Sequence, residues 1–146
     1  MKNHIRDYAT AAFHFYAKEG GSEKYKQKIY DEAMLTQNGG KGSGISNPTE
    51  AMITRAEKAV EDKIAIWKDL EAVEDTLTEL RIDFKFEAIK AIEYVYFVDT
   101  DKDIQKGDIQ GRVHTASLMI PASERQIYKW LRDAREIFAE NRGLRV

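Results

Sequence analysis

From Ile53 to Leu80 the apolar residues of this chain recur in steps of three and four: Ile53, Ala56, Val60, Ile64, Trp67, Leu70, Val73, Leu77 and Leu80. That spacing is the mark of an α-helix with one apolar stripe. Sustained over about eight turns, it commits much of a 146-residue chain to one long amphipathic helix. The start of that helix is signed. Asn47 can cap it, Pro48 takes the first position, where a missing N–H costs nothing, and Glu50 can reach back to the cap backbone. A stripe of this length either packs within its own chain or forms a coiled-coil seam for a homodimer. Lys63, inside the helix, and the many acids leave both readings open.

The rest of the chain reads as helical too. Ile5, Tyr8, Ala12, Phe13 and Tyr16 make one apolar face, stopped by Gly20-Gly21. Tyr25, Ile29, Ala33 and Met34 make a second. Together they form an N-terminal helical hairpin over residues 1–36. Residues 37–47, with four glycines between Gly39 and Gly44, are a flexible linker. Residues 48–146 form a helical domain. Within it a helix from about Asp83 to Phe97 buries Phe86, Ile89, Ile92, Val95 and Tyr96, and Asp99-Thr100-Asp101-Lys102-Asp103 is a polar break. Val113, Ala116, Ser117 and Ile120 mark a short helix, Leu118-Met119-Ile120-Pro121-Ala122 a turn, and a last helix follows from Ser123 to the stop at Gly143. The expected fold is an all-α helical bundle with a helix-turn-helix at its C-terminus, residues 109–146.

Composition narrows the function. There is no cysteine, hence no disulfide framework and no cysteine-held metal, which fits a cytoplasmic protein. No apolar run spans a membrane and no signal-peptide stretch opens the chain. Net charge is only −2, but it is unevenly spread. Residues 49–104 carry 8 Lys and Arg against 15 Asp and Glu, whereas residues 109–146 carry 7 against 4. A basic end behind an acidic middle suits a chain whose end alone meets a polyanion.

The last helix carries the chemistry. Ser123 with Gln126 three residues on is a capping box that fixes where the helix begins. Ile127, Leu131, Ala134 and Phe138 then share one stripe, flanked by Trp130 and Ile137, while Arg125, Lys129 and Arg132 share another. A helix with one face packed and a basic face free is what major-groove recognition needs. Arg125 and Gln126 can make bidentate bonds to guanine and adenine. Glu124 can accept from cytosine or complement the helix dipole. Lys129 and Arg132 reach bases or backbone further along, and Tyr128 and Arg135 suit phosphate. The plainer alternative is an amphipathic surface helix whose cations pair with Asp133 and Glu136 in a structural module without DNA binding.

The order of these pieces resembles the phage transcriptional regulators of the RinA/ArpU type, whose C-terminal part is similar to region 4 of bacterial sigma factors. The likeness covers roughly residues 44–146. It rests on Gly44-Ile45-Ser46-Asn47-Pro48-Thr49-Glu50, on Phe86-Glu87-Ala88-Ile89 with Tyr94-Val95-Tyr96-Phe97, and on Ser123 to Trp130 continuing through Ile137 to Leu144. The resemblance implies an all-helical DNA-binding activator of late or packaging genes, acting in a bacterial host cell, with no catalysis and no cofactor. It implies Glu124, Arg125, Tyr128, Lys129 and Arg132 as DNA contacts. RNA polymerase is the expected second partner, and charge alone points to the acidic central helix as the surface it meets. A small terminase subunit, which also joins a helix-turn-helix to an oligomerising helix, is the alternative. The sequence departs from the family between Phe97 and Ser123, where 25 residues make a longer connection than expected.

Other signals are weaker. Asp99, Asp101 and Asp103 have the spacing that opens a calcium loop, but Ile104 stands where glycine is needed and Gln110 where glutamate is needed. His4, His14 and His114 lack partners at metal-ligand spacing. No enzyme and no metal site is expected.

Overall fold

The computed structural model describes residues 2–37 and 49–145, which hold seven helices and no strand. They are α1 (Asn3–Glu19), α2 (Ser22–Gln37), α3 (Glu50–Glu61), α4 (Ile64–Ile82), α5 (Phe86–Tyr96), α6 (Asp108–Met119) and α7 (Glu124–Arg142). The chain is all-α, as its periodicity requires. Gln37, expected to open the linker, ends α2. The remainder of the linker, with Asn47 and Pro48, lies outside the described residues.

The long central helix is two helices. α3 stops at Glu61 and α4 starts at Ile64, across Asp62 and Lys63, the latter at φ −105° and ψ 16°. The two halves have different partners: α3 pairs with α2, while α4 also packs on α1, α5 and α7. The cap of α3 is Thr49, whose hydroxyl accepts the Met52 N–H at 3.2 Å, in place of the expected Asn47. Leu70, Val73, Leu77 and Leu80 are buried within the monomer. The stripe that offered a dimer seam is used internally at Ala56 and from Leu70 on, while Ile53, Val60 and Trp67 are half-buried and Ile64 is exposed.

Two further boundaries move. α4 continues to Ile82, so α5 begins at Phe86 and not at Asp83. Phe86, expected on the buried face, is exposed because it sits in the first turn, beyond the edge of the core. Ala88, Ala91, Ile92, Val95 and Tyr96 face inward instead. α6 starts at Asp108, earlier than expected. Gly107 precedes it in the left-handed conformation at φ 87°, and the Asp108 carboxylate accepts the Gln105 N–H at 2.7 Å.

One core cluster joins five helices. α1 gives Ala9, Ala12 and Phe13, α4 gives Val73, Leu77 and Leu80, and α5, α6 and α7 supply the rest. Aromatic rings form its centre. Phe13 stacks on Tyr96 at 5.4 Å and meets Phe138 at 5.8 Å. Burying each such side chain contributes about 1.5–3 kcal/mol. At the edge, Asp69 of α4 is held from both sides. It accepts the Tyr8 hydroxyl at 2.6 Å and Arg142 Nε at 2.7 Å. The first, fourth and seventh helices are tied at one carboxylate.

Burial, first of all causes, raises the phenols of Tyr8, Tyr16 and Tyr25 above their ordinary 10.0. The neighbouring carboxylates Asp69, Glu74 and Glu19 push the same way. The folded values lie above the unfolded one, so the unfolded chain ionises first. This contribution is complete below the ordinary value and is lost as pH climbs through the folded values. Chemical denaturation through the alkaline range is expected to show falling stability, with a late-titrating group of phenolates in near-UV absorbance. Uniform titration of all tyrosines with no loss of stability would contradict the burial.

Candidate nucleic-acid interface

α7 is the longest exposed basic element, and its register is fixed at both ends. Ser123 Oγ accepts the Gln126 N–H at 3.1 Å, which is the N-cap bond of the expected capping box. At the other end Gly143 is left-handed at φ 76°, with its N–H donating to Glu140 O and the Leu144 N–H donating to Ala139 O at 2.8 Å. These two bonds make a Schellman stop, and Leu144 packs on the core beside it. Between them Ile127, Leu131, Ala134 and Phe138 are fully buried, with Trp130 and Ile137 packed at the margin. The apolar stripe anticipated from spacing is the packed face.

The opposite face is open. Ser123, Glu124, Arg125, Tyr128, Lys129 and Arg132 are exposed, and Gln126 and Arg135 are half-buried. All eight, joined by Gln110 of α6, line one concavity of about 890 Å³. It therefore collects four cations against one carboxylate, Glu124. Among the described residues Arg125 and Arg132 form no ion pair. Lys129 meets Asp133 at 3.4 Å, but both side chains are more than a third exposed, so the pair is weak. His114 Nδ1 lies 3.8 Å from Glu124 Oε1, a pairing that attracts only when the imidazole is protonated.

Arg135 differs from a free phosphate contact. Its Nη1 donates to the Tyr96 hydroxyl at 2.7 Å, and its Nε is buried without a partner among the described residues. Tyr96 in turn stacks on Phe13. Arg135 thus forms the floor of the concavity and links it to the core. Gln110 was not anticipated, because it precedes the short helix read from 113–120; an earlier start for α6 would have placed it one helix away from Ser123.

α6 packs on α7 and contributes Gln110 to the same concavity. It is joined to α7 through residues 120–123, and Ile120 is buried in the core, pinning the turn. A second concavity of about 960 Å³ lies between α1, the 97–107 connection and α7. Its walls mix signs, with Arg6, Lys18 and Lys102 against Asp7, Asp101 and Asp103, which gives a polyanion no preference. The connection is fastened by His14, whose ring nitrogens lie 3.3 Å from Tyr96 O and 2.8 Å from Lys102 O. Among the described residues no group of three or more His, Cys, Asp or Glu is arranged to hold a metal. Among them, too, no helix is long and apolar enough to cross a membrane. Comparisons with protein-family models, with curated proteins and with solved structures each find no match.

Proposed function

We propose that the chain is a double-stranded-DNA-binding transcription regulator similar to the phage RinA/ArpU type, with α6 and α7 acting as its helix-turn-helix. The observation that carries the reading is the free basic face of α7 opposite a fully buried apolar one. Arg125 and Arg132 form no ion pair among the described residues, which leaves both free for a polyanion and supports the reading. Arg125 and Gln126, near the capped N-terminus, take the base-reading role, and Lys129 and Arg132 follow the groove outward. Ser123 and Tyr128 flank them, Glu124 faces cytosine or the dipole, and Arg135 supports the surface. The reading assigns no catalysis and no cofactor. The acidic side of α4, with Glu71, Asp75 and Glu79, is the surface proposed to meet RNA polymerase.

Selection from a random duplex library, followed by titration at several salt concentrations, tests this. With about three to five phosphate contacts, affinity should fall with a log–log slope of roughly −3 to −5. No binding at low salt, or binding indifferent to salt, would end the proposal. A ring-shaped oligomer on DNA would instead favour the packaging alternative.

A further inference from the structure

α4 ends on a hydrogen-bond pattern that usually closes on glycine. The Lys85 N–H donates to Leu80 O at 2.9 Å and the Phe84 N–H to Arg81 O at 3.1 Å. This is again a Schellman stop, but its left-handed residue is Phe84, at φ 58°. In that conformation the Cβ crowds a carbonyl oxygen, and a bulky residue there is an outlier. Burial of the ring would offset the strain, yet Phe84 is 78% exposed, and it meets the Phe86 ring edge-on at 6.2 Å.

The surroundings share that exposure. Ile82 and Phe86 flank Phe84 and are exposed. Arg112 Nη1 donates to Val95 O at 3.1 Å, which sets the start of α6 against the end of α5. Leu118, 73% exposed, and Met119 stand exposed at the other end of α6, which packs on α5. Ile82, Phe84 and Phe86 are three of the nine large apolar side chains exposed among the described residues.

The charges on this segment identify what covers it. Residues 81 to 87 read Arg81, Ile82, Asp83, Phe84, Lys85, Phe86, Glu87, all exposed, with apolar and charged positions alternating and the charges alternating in sign. None of the four charged side chains makes an ion pair among the described residues. Reversed about Phe84, the pattern complements itself. Arg81 falls opposite Glu87, Asp83 opposite Lys85, Ile82 opposite Phe86, and Phe84 opposite its own copy. An isologous contact demands this, because wherever i meets j, j also meets i. We propose that this end of the molecule is a docking face for a second copy of the chain, with the two-fold axis at Phe84. A single-sign rim would select a partner of opposite charge; a self-complementary rim selects the chain itself. Stable interfaces bury roughly 1,200–2,000 Å², more than a few exposed side chains per copy supply, so the dimer proposed is a weak, micromolar one. It forms without DNA and stands apart from the α7 reading.

Sedimentation over a concentration series, without nucleic acid, provides the test. The wild type is expected to pass from monomer to dimer across the micromolar range. Arg81→Glu alone sets acid against acid twice per dimer, and Glu87→Arg alone sets base against base twice. Each should weaken association at least about tenfold, since like charges set face to face are strongly disfavoured. Mixed in equal amounts, the two variants should dimerise like the wild type, because every contact between them is again of opposite sign. Both positions are exposed, so circular dichroism should be unchanged. Phe84→Gly, which relieves the left-handed residue and deletes the central ring, should be monomeric and melt no lower than the wild type. A wild type that stays monomeric into the millimolar range, a dimer that neither charge variant weakens, or a mixture that stays monomeric would each overturn the proposal. So would an early-melting Phe84→Gly chain, which would give the ring a structural role.

Discussion

Replacing Arg125, Lys129 and Arg132 together with alanine is expected to remove sequence-specific DNA binding while leaving the fold intact. Base-reading pairs are worth about 1–3 kcal/mol each, so losing three such side chains weakens binding on the order of 10²–10⁶-fold. The residual affinity should also depend less on salt, the slope shrinking by roughly one for each lost phosphate contact. The fold should hold because all three side chains are exposed, and among the described residues only Lys129 of the three has an ion-pair partner, Asp133. Thermal unfolding should therefore change little, as for surface substitutions in general. Arg125→Ala alone should relax preference at one base position. Arg135→Ala should behave differently from both. It breaks the bond to Tyr96, so it should lower stability as well as affinity for every sequence. A triple variant that binds like the wild type would remove α7 from the interface.

The part of this site that the sequence made legible is local. A capping residue, a 3.6-residue period and a glycine stop lie within one helix, and they set the phase of Ile127, Leu131, Ala134 and Phe138 without help from elsewhere. What was not legible depends on distant residues. Arg135 and Tyr96 are 39 positions apart, and nothing in either neighbourhood announces their bond. The break at Asp62-Lys63 is hidden for another reason. It contains neither glycine nor proline, and the apolar spacing continues through it. α3 packs on α2 while α4 meets a wider set of helices, and periodicity carries no trace of a partner's position. The alternating charges around Phe84 were in plain view, but alternation on a solvated helix is ordinary. It acquires meaning from exposure and from a left-handed phenylalanine, neither of which composition reveals.

The core also makes a demand on the N-terminal hairpin. Read as a sequence, residues 1–36 are set off from everything after them by glycines. In the fold, Phe13 is completely buried between Tyr96 of α5 and Phe138 of α7. Phe13→Ala should therefore cost about 3–5 kcal/mol, the transfer energy of the ring plus the cavity it leaves. That is a large share of the roughly 5–15 kcal/mol a domain has in total, and the melting midpoint should fall on the order of 10 °C. The location of the loss matters more than its size. The chain has two tryptophans, Trp67 and Trp130. In a Trp67→Phe background, Trp130 reports on α7 alone. Its fluorescence should follow the same lowered transition as the far-UV signal, because the ring that supports α1 also supports the floor of the basic face through Tyr96 and Arg135. A Trp130 transition left at its wild-type midpoint would mean that α1 folds apart from the helices that carry the basic surface. The cluster of Phe13, Tyr96 and Phe138 would then contribute nothing to holding that surface in place.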